Sequence, residues 1–390
     1  MFSNGFIKLE TKKRIDILRI LVAVSVVYCI LFPADKLNIK EIIIVITLLF
    51  YLLDNRDNLR ISKFIFGYGI VFPIILVSYS ILRGTSLGST LSYGYVWIYL
   101  LLLPAITKYK IDIKKPFFFA TYIVSLIIDF IMIADVLGVF TIYSNPVSTF
   151  FMDMDELQGL GKGVLATFGY SIYYKSCPLI LVTYGYMIYK KKYMLCLPLL
   201  LSMLACGTRA NFLMSVFITV AVPILCFDKK SKKMLFVLII FGVGIYLLPE
   251  IYDKLVALNS LKYDRSESVK FSDMQTIFGL LSNNLFNLLF GLGVGSSFYS
   301  VRGSYMTTFE LSYIDYLRQV GLVGISFFCV FILRPVKKLF TNQRWLLIGY
   351  ISYLAVAFTN PLLVTSTSFM LYLLVYSEYL LVDKENIIQL

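Results

Sequence analysis

The chain of 390 residues contains no histidine. That absence removes imidazole as a general base, any Ser-His-Asp triad, and any zinc or haem site with a histidine ligand. A base in this protein must be a carboxylate, a lysine, a tyrosine or a cysteine. Charge is also scarce. Asp, Glu, Lys and Arg make up 15% of the residues, whereas soluble domains carry about a quarter. The shortage excludes an ordinary soluble enzyme and a disordered chain. The six cysteines (Cys29, Cys177, Cys196, Cys206, Cys226 and Cys329) all lie in apolar runs and form no CxxC pair. They point to buried small hydrophobes, not to a metal site or a disulfide framework.

Apolar and aromatic residues take up what is left. The chain is 59% hydrophobic and 16% aromatic, with a mean hydropathy of +0.80. An apolar stretch of about 20 residues spans a bilayer. The apolar runs place spans at 17–32, 40–53, 64–82, 91–107, 117–137, 171–189, 193–206, 211–227, 234–249, 311–333, 344–360 and 362–382. The fold class expected is therefore an all-α polytopic membrane protein of about 12 helices, forming one integral membrane domain over 1–390. The first run lacks a small-residue cleavage site and reads as a retained helix.

The net charge is +13. A nucleic-acid partner would require a solvated basic face. Here the basic residues cluster between apolar runs instead, and loops on the N-terminal side hold 23 of the 36. This is the positive-inside pattern, so both termini are expected in the cytoplasm and no nucleic acid is expected as a partner. Two segments on the opposite side are long, 138–170 and about 250–310. No repeat and no pair of broken helices is apparent, so the signature of a transporter is weak.

Chemistry concentrates in the second long segment. Arg265 lies in KYDRSESVKFSDMQTIFGLL, and an apolar stretch follows that suits the membrane interface. GLGVGSSFYSVRGSY then brings three spaced glycines and Arg302; it is no P-loop, because no GK[ST] follows. Taken alone, the glycine run reads as a plain turn. Glu310 stands at the mouth of the next span, and Arg209 in GTRANF opens another. Guanidinium groups grip phosphate oxygens in a planar fork and stabilise a departing diphosphate. A nearby carboxylate can take a proton from an incoming hydroxyl, and adjacent arginines keep it ionised. Asp129, Asp135, Lys175, Asp315 and Arg318 fall within spans and are expected to face the bundle interior. Asp315 and Arg318 share a helix face and can pair. Asp129 with Lys175 is a conceivable pair between helices. The DMDE motif (153–156) looks like a metal-binding DxD, but a metal is not expected there.

Three motifs together resemble the O-antigen polymerase and ligase superfamily. They are GTRANF, the long segment with Arg265 and FGLGVGSSF, and ELSYIDYLRQVGLVG, which is similar to that family's HNxYL…GLxG entry into a span. The resemblance implies a metal-independent, cofactor-free glycosyltransferase of GT-C-like architecture. It implies Arg209 and Arg265 as diphosphate ligands; Arg302 joins them on charge and position only. Glu310 falls where ligases commonly have histidine, which favours a polymerase (Wzy-type) with Glu310 as base. The implied substrates are a polyprenyl-diphosphate-linked donor and acceptor, joined with inversion outside the bacterial cytoplasmic (inner) membrane. A chain-length regulator and a flippase are implied partners. The rival readings are a lipid-linked glycan flippase or other 12-span transporter, an O-antigen ligase, and a cell-wall polymerase.

Overall fold

The computed structural model describes residues 2–55, 60–162, 169–227, 268–382 and 387–389. The expected span 234–249 lies outside them. The chain is mostly helical. In order the helices are α1 (Phe2–Leu31), α2 (Ile39–Asp54), α3 (Lys63–Leu82), α4 (Leu87–Lys108), α5 (Lys114–Val136), α6 (Pro146–Asp153), α7 (Cys177–Tyr189), α8 (Tyr193–Ala205) and α9 (Arg209–Cys226). After them come α10 (268–282), α11 (Leu285–Phe290), α12 (Ser312–Leu333), α13 (Val336–Asn342), α14 (Arg344–Val356) and α15 (Ser366–Val382). Among the described residues, five helical stretches are long and apolar enough to cross a membrane: α3, α4, α5, α9 and the α12–α13 stretch. The chain is accordingly a membrane protein in character.

Helix α15 is the centre. Residues Phe369 to Tyr376 are all fully buried, so this helix has no polar face to turn to water and must be enclosed. It packs on α1 and α4, and its rings join Trp97, Phe328 and Phe331 in an aromatic cluster. Buried tyrosine hydroxyls need partners. Tyr376 and Tyr350 donate to the carbonyls of Phe331 and Ile332, which the end of α12 leaves orphaned. A second group of helices, α7, α9 and α14, packs mutually and meets α5 through α7 and α8.

The expected span 171–189 starts later than its apolar run suggests. Tyr170–Tyr174 is strand β3 and pairs antiparallel with β2 (Leu157–Lys162), while β1 (Arg60–Ser62) pairs with β6 (Ile387–Gln389). The reason lies in the run YSIYY. Its β-branched and aromatic residues suit a pleated surface, and Asp135 fastens the pair from below. The Asp135 carboxylate accepts from Tyr170 Oη at 2.6 Å and pairs with Lys162 Nζ at 2.6 Å.

Helix α12 is broken at Gly321, which has φ 66°. The break strands the carbonyls of Arg318 and Gln319. The glycine loop after α11 meets them: Leu292 N donates to Arg318 O at 2.8 Å and Gly293 N to Gln319 O at 2.9 Å. The two backbone segments touch so closely that only glycine fits. A Cβ on Gly321 would lie 2.4 Å from Gly291 N, and one on Gly291 would lie 2.4 Å from Gln319 O. The glycine run is thus a helix cap supplied from a distance, more than a plain turn. Gly321→Ala should lower stability by at least about 1–3 kcal/mol, from the left-handed φ alone. Gly67→Ala, whose added Cβ meets nothing within 4 Å, should be neutral or stabilising by up to about 1 kcal/mol. Thermal melts in detergent, side by side, would test the pair; equal melting points would overturn the capping account.

Candidate functional site

Helix α10 builds the site from two residues one turn apart. Asp273 is buried, and its carboxylate accepts from Ser300 Oγ at 2.9 Å and Val301 N at 2.9 Å. This fixes the hairpin of β4 (Phe298–Tyr299) and β5 (Tyr305–Met306), whose turn presents Arg302. Phe298 and Phe309 close over Ile277 and Leu281 to give the hairpin a small core of its own. Lys270 then reaches over. Its Nζ lies 2.8 Å from Glu310 Oε2, while Arg302 Nη2 lies 3.1 Å from Oε1.

Glu310 therefore holds two cations, one on each oxygen. Its side chain is 40% exposed. Burial is the largest single influence and pushes its pKa up. Lys270 and Arg302 together outweigh burial and hold the carboxyl below its ordinary 4.5. Counted with Asp273, the four side chains carry no net formal charge, and both cations converge on the one carboxylate that is exposed, Glu310.

Beside it lies a cavity of about 390 Å³ lined by Lys40, Tyr93, Thr307, Ser312, Asp315 and Gln319 among others. Thr308 and Ser312 flank Glu310 in sequence and both line it. Its floor is rigid. Asp315 Oδ1 accepts from Arg318 Nε at 2.9 Å and Nη2 at 2.7 Å, and Oδ2 accepts from Gln319 Nε2 at 2.9 Å. Arg318 is fully buried; it also donates to the Ser296 and Thr307 carbonyls, tying the hairpin to α12. Lys40 is buried too, its Nζ bonded to Pro33 O at 2.9 Å.

The candidate residues read from the sequence divide three ways. Glu310 and Arg302 meet directly. Arg209 is exposed at the first position of α9, which packs on α7, α8 and α14, and it makes no ion pair with Glu310. Arg265 lies outside the described residues. The pair Asp315–Arg318 forms as expected. Asp129 and Lys175 form no ion pair; Asp129 is buried with Oδ1 unpartnered, and Lys175 N donates to Glu156 O. The DMDE segment has a structural use: fully buried Glu156 accepts from Ala34 N at 2.9 Å and Asp35 N at 3.1 Å. Burial pushes the Glu156 carboxyl above its ordinary range despite those bonds. Lys270 was missed by sequence reasoning. Its spacing of three from Asp273 on an amphipathic stretch was the available signal.

No protein-family model matches the chain, and no curated protein matches it either.

Because Glu310 titrates lower in the folded chain than in the unfolded one, its pairing stabilises the fold above about pH 4.5. That contribution is lost as pH falls through the depressed value. The difference in melting temperature between wild type and Glu310→Gln should stay constant from about pH 8 to about pH 5 and close below that. A difference that instead opens on acidification would overturn the assignment of charges.

Proposed function

We propose that this chain is a polysaccharide polymerase joining polyprenyl-diphosphate-linked oligosaccharide repeat units. In this reading it is a metal-independent glycosyltransferase of about 12 spans and GT-C-like architecture. It sits in the bacterial cytoplasmic membrane with both termini inside, and its site faces outward. The observation that carries the proposal is Glu310 held between Lys270 and Arg302 next to a hydroxyl-lined cavity.

The chemistry follows from that arrangement. An acceptor sugar hydroxyl attacks the donor's anomeric carbon, and the bond from that carbon to the diphosphate oxygen breaks. The electron pair leaves on the diphosphate, where Arg302 and Lys270 receive the charge. The hydroxyl proton passes to Glu310. Diphosphate binding draws the two cations off Glu310, so burial then dominates and its basicity rises when a base is needed. Attack from the face opposite the leaving group inverts the anomeric centre. The cavity's Thr and Ser groups suit sugar hydroxyls, and the exposed Tyr299–Tyr305 pair at the hairpin offers ring faces for stacking. Arg209 and Arg265 remain diphosphate ligands by resemblance only.

One observation favours a transporter or flippase: buried, unpartnered Asp129 within α5 has the character of a proton-relay group. A glycan ladder from the host separates the readings. Deletion of the gene should abolish the ladder and spare single capped repeat units. Wild type should restore it, and Glu310→Gln at matched membrane abundance should not, since the base is worth roughly 10²–10⁴ in rate. A full ladder from Glu310→Gln would sink Glu310 as the base. Loss of even single units on deletion, with rescue dependent on Asp129, would establish export instead.

A further inference from the structure

A second cavity, of about 540 Å³, runs between α3 and α12 beneath α11. Its volume falls in the range of ligand pockets, roughly 300–1,000 Å³. The walls are almost wholly apolar and include Phe72, Ile75, Phe286 and Phe327. The two tyrosines that line it are turned from polar to apolar by their bonds. Tyr68 Oη donates to Phe327 O at 2.9 Å and Tyr79 Oη to Gly291 O at 2.8 Å, so both hydroxyls are already satisfied by backbone carbonyls. Two local features open it. Residues Gly67–Val71 form a π turn in α3, and Gly67 contributes no side chain. Such turns inside α-helices are frequent at functional sites.

Only 28% of the apolar window of α3 is buried, so the groove opens on the side where lipid would lie. Its length along α3, from Gly67 to Tyr79, is roughly 18 Å at 1.5 Å per residue. The hydrocarbon core of a bilayer is about 30 Å thick, so the groove is a little longer than one leaflet. A cation stands at one end. Arg83 is exposed, donates to Asn287 Oδ1 at 2.6 Å and lies over the Phe286 ring at 5.7 Å. Among the described residues no carboxylate neutralises it.

We propose that this groove is a fixed binding site for one bilayer phospholipid, with an acyl chain between α3 and α12 and its phosphate on Arg83. The length selects this occupant: a chain about as long as a leaflet is contained, whereas a much longer isoprenoid is not. The charge agrees, since Arg83 is placed where a lipid phosphate meets the end of α3. The site does not depend on the polymerase reading. It does touch the same scaffold, because Val320 and Gly324 of the groove flank Gly321, where the glycine loop caps α12.

Trp97 reports on the groove. Its ring lies 4.9 Å from Phe72 and 6.2 Å from Tyr68. The chain's other tryptophan, Trp345, packs on Phe118 and Tyr186. The full chain carrying Trp345→Phe is therefore titrated, in detergent, with phospholipid brominated in mid-chain. Quenching of Trp97 should saturate. Gly67→Leu, which fills the groove from a position with open space around it, should remove most of the quenching. Arg83→Ala should leave it in place but require about tenfold more lipid, the loss expected for one charge-assisted bond. Quenching that never saturates and is equal in all three proteins would overturn the proposal and leave only ordinary lipid contact. Relief of quenching by unbrominated polyprenyl phosphate, where equal unbrominated phospholipid gives none, would also overturn it by assigning the groove to an isoprenoid.

Discussion

The architecture around the site depends on one contact, the docking of the 291–295 loop onto the break in α12. A helix broken at its middle leaves carbonyls without partners, and in an apolar surrounding each such group is costly. The loop amides of Leu292 and Gly293 supply what α12 lacks at Arg318 and Gln319. The same loop is pinned from the far side by Ser80 Oγ, which accepts from Val294 N at 2.7 Å. One short segment therefore locks α3 to α12 and fixes the rotation of the first half of α12. That rotation points Asp315 and Gln319 into the polar cavity and leaves Val320 and Val323 on the apolar groove. The polar cavity and the apolar groove lie on either side of one hydrogen-bonded seam.

The two carboxylates at the start of α12 differ in what surrounds them. Asp315 is enclosed, and each of its oxygens is committed to a side chain of its own helix. A buried pair of this kind contributes little net stability, but removing one partner strands a charge at a cost of about 3–5 kcal/mol. Its value is in geometry, because Arg318 also holds the backbone of Ser296 and Thr307. Glu310 is half exposed and its partners come from other segments, the α10 helix and the hairpin turn. Those partners are free to move to another anion without dismantling α12. Of the two, Asp315 is suited to hold the scaffold and Glu310 to take part in exchange.

Much of the scaffold was legible in the sequence, because a membrane helix announces itself by length and composition. The runs at 64–82, 117–137 and 311–333 correspond closely to α3, α5 and α12. The pairing of strands β2 and β3 was not legible. Tyr170, Tyr173 and Tyr174 count as apolar in any window, and nothing local shows that Asp135, far away in sequence, will bind the Tyr170 hydroxyl. The glycine run was visible, but its function depended on a second glycine at 321 in another element. The pairing of Arg302 with Glu310 followed from charge and proximity along the chain. The part of Lys270 required knowing that α10 lays it beside Glu310 while Asp273 holds the hairpin. Each missed feature is a contact between distant segments, which composition and periodicity do not encode.

The absence of histidine takes on a physical meaning at this site. Imidazole changes charge near neutrality, so a site built on it responds to ambient pH. Burial pushes the Glu310 carboxyl up, but Lys270 and Arg302 outweigh it and hold the group below the ordinary carboxylate range. Glu310 thus stays ionised around neutrality. A group that is always ionised is a weak base while its partners stay in place. Its basicity must be switched by something other than pH, and the only change available within the cluster is the departure of Lys270 and Arg302 toward an incoming anion. In the proposed reading, binding and activation are then one event: the ligand that needs the cations is also the ligand that frees the base.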